Sequence, residues 1–313
     1  MIIKTEQDVT LAVLSELERI EDPRTRELLS AFVRHLHDFA REVRLTETEF
    51  HNVIAYVNQL GQLTTDDHNE GMLMSGSLGF SALVCLLNNG NSGQTETTAN
   101  QLGPFWRMDS PRMNNDDSIV RSLTPGEPLF AAIELRDSDS QPISGVTVDV
   151  WHSSSEGFYE NQDPSQADWN LRGQFISDES GQIRFRSIKP QGYPIPVDGP
   201  VGDLVRVQKR HNMRPAHLHF LAHKPGFKTH ISQVYSSDDP YLETDVQFGV
   251  TERLIGRYTY HKDETAPDIT ITQPWYSLKF TLQMEPGEMV LPSPPIKEKT
   301  SGKRPKLEIL TRG

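Results

Sequence analysis

The stretch RPAHLHF, residues 214–220, sets two histidines one residue apart and an arginine three residues before the first of them. On a β-strand successive side chains alternate between faces, so His217 and His219 would share a face with Cβ atoms about 7 Å apart, and two imidazoles at that separation can meet on one metal ion. On a helix the same spacing turns the rings about 200° apart, so the metal-binding expectation stands only if the segment is a strand. A His-x-His pair needs further ligands. His211, His223 and His230 are near in sequence, and a zinc site would take a third His, Asp or Glu. Residue types alone leave that choice open.

The elements around the pair favour strands. Leu129, Ala131, Ile133 and Leu135 alternate, the polar run DSDSQPISG supplies turn residues, and Val146, Val148 and Val150 alternate again. GQIRFRS at 181–187 continues the pattern, and no helix of convincing length is expected before about residue 280. The predicted architecture is mainly β with α: an antiparallel β-sandwich domain over 106–290, preceded by a helical N-terminal and linker domain over 1–105 and followed by a flexible basic tail over 291–313. The tail, rich in proline and lysine, has the composition of a solvated segment with no fixed fold. In the N-terminal part, Leu28, Leu29, Phe32, Leu36, Phe39 and Val43 recur at helical spacing after Pro23, a residue suited to a helix start. Thr46 to Glu49 reads as a capping box, and Phe50, Val53, Ile54, Val57 and Leu60 form a second stripe. A third apolar segment, Met72 to Leu87, has the length of a helix. Such stripes are ordinary core, or else a groove offered to a partner subunit.

A chain of 313 residues, 35% of them hydrophobic, can bury a sizeable core in about two domains. Its net charge of −12 argues against nucleic acid as a partner, which would need lysine and arginine in excess. No apolar run is long enough for a membrane span, and the opening MIIKTEQDVT lacks the pattern of a secretion signal, so a cytoplasmic location is expected. The single cysteine, Cys85, sits in the apolar run SALVCLLNN and is expected to be a small buried hydrophobe.

Three motifs in order, GVTVDVWHSSSEGFYE, IRFRSIKPQGY and RPAHLHFLAHKPGF, together with the LGPFW linker, resemble the intradiol ring-cleaving dioxygenases, the family of catechol and hydroxyquinol 1,2-dioxygenases. The resemblance runs over most of residues 30–285. It implies one Fe(III) per chain, held by Tyr159, Tyr193, His217 and His219. That set makes chemical sense, because phenolate is a hard anionic donor favouring iron(III) and neutral imidazole suits either oxidation state. It implies further that Tyr193 leaves the metal and takes a proton as an aromatic diol chelates, that the diol supplies the electrons for O2, that Arg214 stabilises negative charge on the ring, and that Gln233 helps polarise the reacting oxygen. Parity on a regular strand would send Arg214 to the face opposite His217, but Pro215 can break the pairing. His152, His223 and His230 are expected to be structural.

Gly103, Pro104, Phe105, Ile195 and Pro196 resemble the hydroxyquinol branch and should line the ring pocket. Gly76 and Gln247 depart from it, standing where that branch commonly has an aspartate and a valine. The implied reaction is cleavage of hydroxyquinol to maleylacetate by a homodimer joined through its N-terminal helices, with catechol cleavage to cis,cis-muconate as the alternative. A zinc-dependent hydrolase and a non-enzymatic β-sandwich binding protein are the competing classes. Neither has a use for the two tyrosine motifs.

Overall fold

The computed structural model describes the whole chain apart from residues 1, 66–67, 91–96, 297–298, 300–303, 305–306 and 313. The chain divides into two compact units, Met1–Gln59 and Leu60–Gly313. The sequence had suggested a single helical part ending at 105.

In the first unit, α1 (Glu6–Leu17) starts on a Thr5–Asp8 capping box and α2 (Pro23–Glu42) on Asp22, with Pro23 in its first turn. At the start of α3 (Glu47–Leu63) the Thr46 hydroxyl accepts from the Glu49 amide while the Glu49 carboxylate accepts from the Thr46 amide, the box expected from TETE. Arg41 Nη1 on α2 donates to the Thr10 hydroxyl of α1 at 3.0 Å. The stripe on α2 is not core within this chain. Leu28, Leu29, Phe32, Leu36, Phe39 and Val43 are 40 to 62% exposed, and Phe50, Val53, Ile54 and Val57 of α3 are similarly bare.

The second unit opens with two short helices, α4 (Glu70–Ser77) and α5 (Phe80–Asn89), where one continuous helix had been expected. Gly79, at φ +73°, breaks them, since a left-handed residue cannot continue a helix. Cys85 on α5 is half-buried. Two sheets then stack. One has the order β10 (Tyr258–His261), β11 (Trp275–Gln283), β1 (Pro128–Arg136), β4 (Gln182–Ile188). The other runs β3 (Arg172–Ile176), β2 (Thr147–Trp151), β7 (His217–His223), β8 (His230–Ser236), β9 (Ile255–Gly256). Most pairs are antiparallel as expected, but β1 with β11 and β8 with β9 are parallel, so the sheets are mixed. The long excursion from β1 to β11 makes that parallel return possible.

The alternation read from the sequence is what fills the space between the sheets: Leu129, Ala131, Ile133, Leu135, Val146, Val148 and Val150 meet Phe175, Phe185, Leu218, Phe220 and Leu278. On β7 this sends Leu218, Phe220 and Ala222 inward, leaving His217, His219 and Leu221 on the outer face. A two-residue ladder, β5 (Tyr193–Pro194) with β6 (Met213–Arg214), stands apart, and the eight-residue α6 (Pro200–Val207) interrupts a stretch expected to be free of helix. The Val201 amide at the start of α6 donates to the buried Glu70 carboxylate at the start of α4.

The tail does not behave as its composition suggests. Ile296 is buried, Arg304 pairs with Glu156 and Asp163, and the backbone at Glu308 and Leu310 is bonded to the Asn212 side chain. A segment too polar to build a core of its own here uses one supplied by the rest of the unit.

Candidate active site

The outer face of β7 carries the pair that opened the sequence, and the strand expectation for RPAHLHF holds. His217 lies opposite Tyr235 and His219 opposite Gln233 on β8, while Trp151 of β2 pairs with His219 on the other side and stacks on its ring at 4.7 Å. The Tyr159 hydroxyl is 2.8 Å from His219 Nε2 and 3.1 Å from the Tyr193 hydroxyl, and the two histidine Nε2 atoms are 3.1 Å apart. One loop, carrying Tyr159, and two strands, β5 and β7, thus bring four donor atoms to one point. A four-coordinate ion with bonds of about 2.0–2.1 Å holds its donors about 3.3 Å apart, close to these separations.

The electronic state of the donors also suits a cation. His217 Nδ1 is 2.7 Å from the Pro215 carbonyl oxygen, which can only accept, so the ring proton sits on Nδ1 and the Nε2 lone pair faces the cluster. Burial, reinforced by the Arg214 charge, pushes His217 down to about 3, and burial with the neighbouring His217 depresses His219 well below its usual value. Both imidazoles are neutral at physiological pH and free to ligate. Burial and the adjacent Tyr193 push the Tyr159 phenol well above its ordinary value, so a positive charge at the cluster is what would make it a phenolate. Among the described residues no group of three or more His, Cys, Asp or Glu is placed to hold a metal, and the side-chain oxygens beside the histidine pair are those of Tyr159 and Tyr193. The four residues fit an oxygen- and nitrogen-ligated iron(III). Tyr159 is 1% exposed and Tyr193 7%, so both tyrosines are buried.

Arg214 reaches the same face in spite of its parity, because β6 ends before Pro215 and the residue belongs to the β5–β6 ladder, opposite Tyr193. Its guanidinium is wholly buried. Nε and Nη2 donate to the two oxygens of Asp245 at 3.2 Å, and Nη2 also reaches Gln233 Oε1 at 2.9 Å and the Tyr235 hydroxyl at 2.8 Å. Nη1 is the remaining arm, 3.5 Å from His217 Nε2 and directed at the donor cluster. Gln233 accepts from both Arg214 and Tyr235 and donates to the Gln101 carbonyl, so here it fixes the arginine. Burial works against the Asp245 carboxylate, but the Arg214 charge and the amides of Gln247 and Gly249 hold it below the ordinary carboxylate range.

Of the expected pocket residues, Gly103 (φ +75°) lies against His219, where a Cβ would come within 3.2 Å of the ring. Phe105 stacks on Tyr159 at 4.3 Å, Ile195 is buried beside the Tyr193 ladder, Pro196 is half-buried and Pro104 is exposed. Gly76 and Gln247 touch each other: a Cβ at 76 would fall on the Gln247 carboxamide, whose Nε2 donates to Ser77 Oγ at 3.2 Å. They connect to the cluster through Asp245, which accepts from the Gln247 amide. His152, His211 and His230 are bonded to Ser187, Thr244 and Thr98, respectively.

Sequence reasoning missed Asp245, Tyr235 and a buried ion network behind Tyr159, in which Glu160 accepts from Arg107 at 2.7 Å and Arg172 at 2.8 Å. For Arg107 and Arg172 the usable signal was a charge beside apolar residues, since a charge that folds into an interior must find a partner; Asp245 and Tyr235 carried none.

Residues 102–284 match the family model described as Dioxygenase, and residues 22–96 the one described as Catechol dioxygenase N terminus. Helices ahead of a mixed sandwich, with a two-tyrosine, two-histidine cluster on one sheet face, are thus those of a dioxygenase. The chain belongs to the intradiol ring-cleaving dioxygenases. It is 37% identical to a hydroxyquinol 1,2-dioxygenase of Rhizobium sp. (strain MTP-10005), over 84% of this chain and 90% of that one. It is 36% identical to a catechol 1,2-dioxygenase of Candida albicans, over 80% and 83%. The crystal structure of hydroxyquinol 1,2-dioxygenase from Pseudomonas putida DLL-E4 superposes with a TM-score of 0.80 at 34% identity, covering 90% of this chain and 99% of that one.

Proposed function

We propose that this enzyme cleaves hydroxyquinol between its adjacent hydroxyls with O2, giving maleylacetate, at one ferric ion per chain held by Tyr159, Tyr193, His217 and His219. The observation that carries the reading is the convergence of two phenols and two neutral imidazoles at mutual distances of 2.8 to 3.1 Å. Iron(III) held there would supply a Lewis-acidic centre that favours the ionised form of a diol, whose ring is electron-rich enough to react with O2. The chain's own groups do the rest. Tyr193, which the bound cation would hold as its phenolate, would take a proton from the incoming diol at its oxygen and become the neutral phenol. Arg214 Nη1, the arm left over after Asp245, Gln233 and Tyr235 have fixed the guanidinium, stabilises negative charge on the ring. Gly103 lets the linker backbone approach His219 without a side chain intervening.

The iron-loaded protein should be red to brown, because tyrosinate-to-iron(III) charge transfer absorbs visible light. His217→Ala or His219→Ala should lose the metal, and Tyr193→Phe should shift the colour and depress turnover. A colourless protein filled with zinc would remove the assignment. Cleavage of catechol is the second reading, favoured by Gly76, which brings no carboxylate to the pocket; parallel kcat/KM measurements on hydroxyquinol and catechol decide between them.

The exposed stripe of α2 and α3 supports a homodimer. So many bare aromatic and aliphatic side chains on one helical pair are the mark of an interface. Sedimentation at micromolar concentration should give twice the 35.4 kDa chain mass. No single helix among the described residues is long and apolar enough to cross a membrane. With one cysteine and no disulfide to form within the chain, we place the enzyme in the cytoplasm.

A further inference from the structure

The chain beyond the family match, which ends at residue 284, bonds at Glu285 and Gly287 to the 226–228 turn and at Glu308 to Arg206, and three further attachments fall on the segments that present Tyr159 and Tyr193. The first is apolar. Ile296, 2% exposed, belongs to the same buried cluster as Phe105, Trp106, Trp151, Tyr159 and Tyr193, and its backbone bridges to Arg107. Arg107 in turn holds Glu160, the residue after Tyr159.

The second attachment is ionic. Arg304 pairs with Glu156 and Asp163 at 2.7 Å each, and its guanidinium lies over the Phe158 ring at 5.0 Å. It thereby spans the two ends of the loop that carries Tyr159. Asp163 is buried, so this pair is less screened than an ordinary surface one.

The third attachment is a backbone bracket. Asn212, wholly buried, sits beside the β5–β6 ladder, where its carbonyl oxygen accepts from the Ile195 amide. Its side-chain Nδ2 donates to the carbonyl oxygens of both Ile195 and Glu308, each at 2.8 Å, while Oδ1 accepts from the Leu310 amide at 2.9 Å. One carboxamide thus offers the tail a donor and an acceptor, as a neighbouring strand would, and ties it to the residue two positions after Tyr193.

We propose that the C-terminal segment is a positioning element for the two tyrosines, docked by Ile296, Arg304 and Asn212 so that the 156–163 loop and the β5 strand keep a fixed separation. A tail merely stuck to the surface would not need a buried isoleucine and a saturated buried asparagine at its two ends. The proposal rests on the reading of Tyr159 and Tyr193 as iron ligands, and Asn212 and Arg304 act through those residues.

The test uses the full-length, iron-loaded protein and its Arg304→Glu and Asn212→Ala variants, with Lys224→Ala as a surface control. Amide hydrogen exchange at 156–163 and 193–196 should accelerate by about tenfold or more in both variants and not in the control. The visible band should shift or weaken, and kcat should fall more than KM changes. Arg304→Glu alters an exposed guanidinium, so it decides the matter if Asn212→Ala fails to fold. Unchanged exchange in both tyrosine segments would overturn the proposal, as would faster exchange spread evenly over the sandwich. If wild type itself has no visible band, the ligand reading fails, and the exchange data still decide whether the tail holds these segments.

Discussion

At the scale of single residues, what distinguishes this site is how completely its one arginine is committed. Arg214 spends Nε and Nη2 on Asp245, Gln233 and Tyr235 and keeps Nη1 for the donor cluster. Asp245 is therefore the residue that aims it. Asp245→Asn keeps the shape but leaves a buried guanidinium without its counter-charge, a change that costs about 3–5 kcal/mol of stability in comparable buried pairs. It should lower kcat/KM at least tenfold while leaving iron content unchanged, since none of the four proposed donors is altered. An Asp245→Asn enzyme with full activity would show that the aim of Arg214 is set elsewhere. The sequence displayed Arg214 because it sits in the RPAHLHF motif. Asp245 is thirty-one residues away and looks like any acid near a turn, so only the fold reveals the pairing.

At the scale of elements, the strands were legible and the helices less so, for a physical reason. Period-two alternation in β1 and β2 reports burial against the facing sheet within the same chain, so Leu129 to Leu135 and Val146 to Val150 land in the core as read. The stripe on α2 has the same clarity of period but stays exposed among the described residues, and periodicity cannot say what partner it meets. The Met72–Leu87 segment looked continuous because Gly79 alone does not announce a break. Nor could the sequence show that its two departures from the hydroxyquinol pattern are one feature. Gly76, near the end of α4, has no room for a Cβ while Gln247 lies across it. Gly76→Ala alone should destabilise the protein by displacing the carboxamide from Ser77. In a Gln247→Val background the same change should be neutral or stabilise by up to about 1 kcal/mol, the helix preference of alanine over glycine. Urea unfolding of the four proteins measures this coupling, and strict additivity would refute it. If the Gln247 amide also reads the third hydroxyl of hydroxyquinol, Gln247→Val should lower the hydroxyquinol-to-catechol ratio of kcat/KM by about fivefold.

At the scale of the whole molecule, the site leaves a signature in the acid stability of the metal-free chain. Burial pushes His152 and His230 down to about 4 and, with Arg214, His217 to about 3; burial and His217 hold His219 low as well. In the unfolded chain all four return to about 6.5. Above that pH both states are neutral and nothing depends on acidity. As the pH falls from about 6.5 towards 4, the unfolded chain takes up protons that the folded one refuses, so stability drops. Asp149 acts in the opposite sense. Burial raises its carboxyl to about 6 even though Gln174 and Trp106 donate to it, so it binds a proton more readily folded than unfolded and offsets part of the loss between about 6 and 4. The four histidines outnumber it, so these five groups alone leave roughly three protons taken up on unfolding at pH 5 and a slope on the order of 4 kcal/mol per pH unit, to which His211 and His223, also depressed by burial, add in the same sense. Urea midpoints of the chelated protein should therefore fall steeply from pH 7 to pH 5, with His230→Gln removing about one proton from the uptake, a change that leaves the four donors at the cluster in place. A midpoint that stays level or rises on acidification would mean that these imidazoles are not held neutral. The pair at His217 and His219 would then take up protons as the pH falls below about 6.5, in competition with any metal at this site.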